Sequence, residues 1–233
     1  MEEYNKIIES INVKFVKSRA VKVLQPLTVS NYYDVSNTII ILLQGEMYYG
    51  EEKEKVEVGD LLFVPGGKAS SITFGNKFAT QLSNEDLISQ RDNYLFSLKD
   101  EAAYHEALAN NNGGTIFAYI SFETKVFDSV NFFTSLDIPC FPIQSYHVLG
   151  RIIKEVVEED LTDFAGKNRV IALNSERVVI EIIRYILHKN IFLEKLATNS
   201  TYFKDPRLLD IFAYIKDHLS GDLSNKMLAN VAN

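Results

Sequence analysis

Four histidines and one cysteine are the residues of this chain best suited to hold a metal or attack a substrate, and they are scattered. His105, His147, His188 and His218 share no common segment, and three of them fall on stretches with helical patterning. Imidazole is the usual ligand for iron, zinc, nickel or copper, so transition-metal catalysis loses most of its support. Cys140 has no second cysteine to pair with. Its neighbours Ile138, Pro139 and Phe141 mark it as a buried, apolar thiol. No paired carboxylates, Ser/His/Asp set or phosphate-cradling glycine loop shows a convincing spacing. The acidic run Glu155, Glu158, Glu159 and Asp160 reads as a solvated helix face. The expectation is a protein without catalysis, without a cofactor and without a metal. The 12 tyrosines, in a chain with no tryptophan, offer apolar rings with polar tips, which suit either a small organic effector or an ordinary interface.

The bulk numbers agree with a binding role. At 233 residues the chain has room for one large domain or two small ones. Its formal charge of −7 and the lack of a dense Lys/Arg cluster argue against a nucleic-acid surface on these residues. No apolar run reaches the roughly 18 residues of a membrane span. The opening MEEYNKIIES is acidic and amphipathic, unlike a signal peptide, so a cytoplasmic location is the simplest expectation.

The elements that must position any site change type along the chain. Short strands are expected at 11–16, around 21–29, and at 38–43, 46–49, 55–58, 61–64 and 70–74, because these are rich in β-branched and aromatic residues. Turn signals separate them, at Gln44-Gly45, Gly50-Glu51, Gly59-Asp60 and Pro65-Gly66-Gly67. Many short strands at this spacing predict an antiparallel sandwich or barrel. Helical pieces are expected at 84–91 and 99–109, a loop at 110–114, a returning strand at 115–124 and a proline-marked edge segment at 137–143. The period then becomes helical. One amphipathic helix is expected over 144–161 and a second over about 173–189, with DFAGKNRV as a polar link between them. The stretch 191–204 reads as a linker. Asp205 and Pro206 then open a helix with Leu208, Ile211, Phe212, Ile215 and Leu219 on one face. Gly221 reads as its stop, and Ser224 as the start of a further helix whose apolar face begins with Leu228, Ala229 and Val231. That last pair of helices reads as the opening of a longer helical domain.

The segment LLQGEMYYGEEKEKVEVGDLLFVPGG at 42–67 resembles the core of a cupin. Gly45, the hairpin through Gly50–Lys53, Gly59-Asp60 and Pro65-Gly66-Gly67 match that pattern, each glycine allowing a turn between strands of a small barrel. The resemblance puts the metal-ligand positions of cupin enzymes near Tyr32, Asp34, Thr38 and Ser70, and none is histidine. A histidine-poor cupin, a returning strand, a proline-containing segment, two amphipathic helices, a linker and a helix-turn-helix opening at 205–233 together resemble an AraC-family transcription regulator. In that family the cupin senses a small effector, the helical pair dimerises and a C-terminal domain reads DNA. The resemblance implies an α+β chain: a cupin-like antiparallel β-barrel, or jelly roll, at 1–143, a helical dimerisation hairpin at 144–190, a linker at 191–204 and a truncated start of the DNA-binding domain at 205–233.

The implied function is ligand sensing and dimerisation in transcriptional control, as a homodimer with a small-molecule effector. DNA would be reached only through the C-terminal domain, and no membrane is involved. Strand alternation and the cupin alignment nominate Tyr32, Asp34, Ile40, Tyr48, Phe63 and Ser70 as cavity liners. Helical spacing nominates Leu149, Ile152, Val156, Val179, Ile183 and Ile186 for the helix pair, shared between a dimer layer and burial against the barrel. Two alternatives stand beside this reading: a metal-free cupin enzyme such as an isomerase, and a stand-alone small-molecule-binding cupin.

Overall fold

The computed structural model describes residues 2–110, 114–126, 130–196, 206–218 and 221–232, with the backbone alone at 2–3, 206, 208–209, 212–213 and 216. The strands are β1 (Ile11–Val23), β2 (Leu27–Tyr32), β3 (Asn37–Gln44), β4 (Met47–Tyr49), β5 (Glu54–Val56), β6 (Leu61–Val64), β7 (Ser70–Phe74), β8 (Thr80–Leu82), β9 (Leu95–Leu98), β10 (Ile116–Val126), β11 (Val130–Asn131) and β12 (Phe141–Ile143). The helices are α1 (Glu2–Ser10), α2 (Asn84–Tyr94), α3 (Glu101–Ala109), α4 (Phe132–Ser135), α5 (His147–Asp160), α6 (Lys167–His188), α7 (Pro206–Asp217) and α8 (Asn225–Val231).

The chain is a mixed α+β fold, and its strands form two sheets packed face to face, consistent with the expected sandwich or barrel-like jelly roll, without closing into a barrel. The first runs β12-β6-β3-β10-β1-β9 with β11 added to β10, and the second runs β5-β4-β7-β2-β8. Every ladder is antiparallel except the parallel pairing of β2 with β8. The physical reason for the open seam is α2. It leads from β8, an edge of the second sheet, to β9, an edge of the first, and stands where a barrel would join those edges by hydrogen bonds.

Two cores hold three layers together. Between the sheets, Val21, Ile40, Leu42, Leu62 and Phe117 of the first meet Leu27, Val29, Met47, Ile72 and Phe74 of the second. On the other face of the first sheet, Ile39, Ile41, Leu61, Phe63, Ile120 and Phe122 pack with Leu149, Ile152, Val156, Val179, Ile183 and Ile186 of the helix pair. Each such side chain contributes about 1.5–3 kcal/mol relative to leaving it in water. The first sheet is thus covered twice, and the buried run from Asn37 to Leu42 shows no polar alternation for that reason.

α6 begins at Lys167, several residues before the expected start near Leu173. Its first turn faces solvent, so KNRV carries no apolar stripe and reads as a link. Gly166 precedes it at φ 85°, a left-handed conformation that suits glycine. α5 matches expectation within the usual fraying of helix ends. Asp160 is not solvated as expected: it accepts a hydrogen bond from the Ser18 hydroxyl at 2.6 Å and an ion pair from Lys167 at 3.4 Å. Ser224 caps α8 by accepting from the Met227 amide at 3.4 Å. Gly221 is not among the glycines in the left-handed region, so the stop assigned to it is not made by a positive φ. The expectations at Asp205, at the side chains of Leu208, Phe212 and Leu219, and across 111–113 and 197–204 lie outside the described residues.

Candidate functional site

A cavity of about 250 Å³ opens between the two sheets under α2. Its floor is apolar because β-strand alternation points every second side chain into the gap. Val21, Leu27, Val29, Ile40, Ile72 and Phe117 line it, with Phe74 stacked on Phe117 at 4.2 Å and 19°. α2 supplies the cover through Leu87, Ile88 and Arg91. The sequence starts that helix with a capping box: the Ser83 hydroxyl accepts from the Asp86 amide at 3.0 Å, and the Asp86 carboxylate accepts from the Ser83 amide at 3.2 Å. The Asn84 amide donates to Asn31 Oδ1 at 2.9 Å and ties the helix start to β2. None of the helix's own residues is buried, and its backbone leaves helical geometry at Gln90 (φ −118°). α2 is therefore a cover lying on the surface, held by Leu87 and Tyr94, which pack partly buried against the inter-sheet core.

One end of the cavity is polar. Lys17, Tyr32, Tyr33, Asp34, Thr38 and Tyr119 gather there from four strands and the β2–β3 turn. Asp34 is a turn residue, as read from the sequence, with Oδ1 accepting from the Ser36 amide at 2.9 Å. It also faces Lys17 Nζ at 3.6 Å. Thr38 and Ser121 share a hydroxyl–hydroxyl bond at 3.1 Å. The Tyr32 phenol is pushed up to about 12, first by burial and then by Asp34 and Tyr119, against the lowering effect of Thr38. Arg91 Nη2 donates to the Ser97 hydroxyl at 3.0 Å. Ser97 stands opposite Val21, four residues along β1 from Lys17.

Three of the six nominated liners, Tyr32, Asp34 and Ile40, come together in this cavity. The other three do not. Ser70 pairs with Tyr32 in the ladder but lines a separate shallow cleft with Tyr49 and Cys140. Burial pushes the Cys140 thiol up to about 12, with Ser70 pulling it the other way. Phe63 points to the helix side of the first sheet, against Phe133 at 4.8 Å and Phe141 at 5.5 Å. Tyr48 points away from the inter-sheet core that holds its neighbour Met47, and donates to Glu46 Oε2 at 3.0 Å. Both follow from period two: once Leu62 and Met47 face the gap, Phe63 and Tyr48 cannot. All six helix-pair residues are buried inside the chain, at 0–2% exposure. Val148, Val170 and Leu173 are the apolar residues those helices expose.

Sequence reasoning missed Lys17, Arg91, Phe117 and Tyr119. Tyr119 was legible, because Phe117 and Tyr119 sit at alternate positions of the strand expected over 115–124. Arg91 was not, because α2 has no apolar stripe to show which side faces inward.

No family model matches the chain, and no curated protein matches it. Among solved structures, an apo variant of ToxT from Vibrio cholerae strain SCE256 shares 7% identity, with a TM-score of 0.38 over 94% of this chain and 68% of that one. ToxT from Vibrio cholerae O395 gives 9% and 0.30, over 96% and 88%. A second crystal form of ToxT from Vibrio cholerae gives 10% and 0.30, over 95% and 88%.

Proposed function

We propose that this chain is the ligand-sensing and dimerising part of an AraC-type transcription regulator, with no catalytic role. The observation that carries the reading is the covered apolar cavity with one polar end, lined by Tyr32, Asp34 and Ile40. Concave, mostly apolar sites with a few convergent polar groups are where small molecules bind. The walls flank the cupin-like segment at 42–67: Thr38 and Ile40 of β3 stand just before it, and Ile72 and Phe74 of β7 just after it. In this reading an effector binds one arrangement of α2 and the sheets better than another, and the shift reaches α5 and α6 through the first sheet on which they pack. Dimer contacts fall to the exposed side of the helix pair, where Val170 and Leu173 stand on α6, because the buried side is already occupied. α7 and α8 belong to the DNA-binding region.

The test is a fusion of the whole chain to a heterologous DNA-binding domain that grips its operator only as a dimer. Operator binding in a gel-shift assay at nanomolar protein supports the reading. A fusion that sediments as a monomer and leaves the operator free contradicts it.

A metal-free isomerase is the second reading, favoured by the convergence of Lys17, Asp34, Tyr32 and Tyr119 on one end of the cavity. Its test is deuterium exchange from solvent into a bound ketone, lost in Asp34→Asn.

A further inference from the structure

We propose that the cavity takes an uncharged ring compound bearing a hydroxyl or carbonyl group, hydrogen-bonded at the Tyr119–Tyr32 end, and that it rejects the corresponding carboxylate. This rests on the sensing reading above and names the ligand class for that same site.

The ring follows from the apolar end. Phe74 and Phe117 stack on each other there, and Phe117 stands 6.4 Å from Tyr119 at an interplanar angle of 27°. A flat aromatic or alicyclic body makes offset-stacked contacts with such a wall. The volume of about 250 Å³ limits the ligand to a small one- or two-ring body.

The polar group follows from hydroxyl bookkeeping at the other end. Thr38 and Ser121 bond each other through their hydroxyls, and the phenols of Tyr32 and Tyr119 line the cavity beside them. The Tyr119 hydroxyl has no hydrogen-bond partner among the described protein residues, and every fully buried side-chain polar atom there is satisfied, so this hydroxyl faces accessible space. It can donate to a carbonyl or both donate to and accept from a hydroxyl.

The neutrality follows from the charges. Lys17 and Asp34 face each other and offset each other, and Asp34 is further committed to the Ser36 amide. A ligand carboxylate placed beside Tyr119 meets Asp34 and two phenols in a half-buried site. An anion buried without a partner of its own is strongly disfavoured. The upward push on the Tyr32 phenol has the same cause: this end of the cavity penalises negative charge. The remaining cation of the wall, Arg91, is engaged by Ser97, opposite Val21 and away from Lys17. Arg91 also borders a second cleft, which holds Arg19, Lys99 and the Asp160 carboxylate.

Isothermal titration of the full chain at neutral pH with naphthalene, 2-naphthol and 2-naphthoate tests this. The expected result is that 2-naphthol binds about tenfold tighter than 2-naphthoate, and that Tyr119→Phe removes most of that advantage while leaving naphthalene binding unchanged. Tighter binding of 2-naphthoate, weakened by Arg91→Gln, overturns the neutral-ligand inference and leaves the sensing reading standing. No binding of any of the three probes overturns the ring-ligand inference and leaves the sensing reading to the operator-binding test.

Discussion

The Ser18 hydroxyl of β1 donates to Asp160 Oδ2 at 2.6 Å, joining a strand near the start of the chain to the last residue of α5 across 142 positions. The same carboxylate faces Lys167 of α6 at 3.4 Å and Arg19 at 4.0 Å. Asp160 is therefore the joint where the sheet that walls the cavity meets both helices of the pair. Asp160→Ala leaves the buried Ser18 hydroxyl without its acceptor and takes from Lys167 its ion pair while leaving its bond to the Asp160 carbonyl, and should lower stability by about 1–3 kcal/mol in urea denaturation. Asp160→Asn, which keeps an acceptor for Ser18, should lose less.

The glycines of the 42–67 segment differ in what they tolerate. Gly45 has φ 81°, and an added Cβ would clash with the Thr115 side chain and with the backbone of Thr115 and Gly114. Gly59 has φ 91° but open space around it. Gly59→Ala should cost about 1–2 kcal/mol, the strain of a left-handed residue alone. Gly45→Ala should cost clearly more, because the Gly114–Thr115 backbone leading into β10 must move as well. Thermal unfolding of the two variants side by side checks the order.

Alkali should expose the buried phenols. The hydroxyls of Tyr32 and Tyr104 are both pushed up to about 12 from an ordinary value of 10, burial being the first cause in each. A group with a raised pKa in the folded state favours folding while it stays protonated. That contribution is complete below pH 10 and is lost as pH rises through about 12. Ultraviolet titration should show late-ionising tyrosines in the folded chain, and the urea midpoint should fall over this window. Tyr104→Phe should flatten part of that fall.

The proposed dimer gives the two faces of the helix pair different roles. Ile183→Ala, at 1% exposure, should cost about 2–5 kcal/mol by opening a cavity in the core. Leu173→Arg, at 47% exposure, should leave the melting temperature of the isolated subunit nearly unchanged and shift sedimentation from dimer to monomer. A dimer that survives Leu173→Arg moves the interface away from the exposed side of α6.

Much of this architecture was legible in the residues. Strands 61–64 and 70–74, the helices at 84 and 147, and the edge position of 141–143 follow from β-branched runs, caps and prolines. The inward parity of the strands was harder. The run Thr38–Leu42 is buried on both sides, so its composition does not say which side chains face the gap, and Phe63 and Tyr48 were assigned to the wrong face. The open seam between the two sheets was illegible for a different reason. α2 lacks an apolar stripe, so nothing in its sequence shows that it lies over the seam between β8 and β9 and covers a cavity.

The central claim is that the space under α2 binds a small molecule. A thermal-shift screen of sugars, phenols, ketones and small metabolites, run in parallel on the natural chain and on Ile72→Phe, tests it most directly. Ile72 lines the cavity at 1% exposure, and the larger ring reduces the free volume. The account predicts at least one compound that raises the melting temperature of the natural chain in proportion to the logarithm of its concentration, with the rise lost in the filled variant. No stabilising compound in the library, or equal stabilisation of both proteins when Ile72→Phe is itself folded, would contradict it.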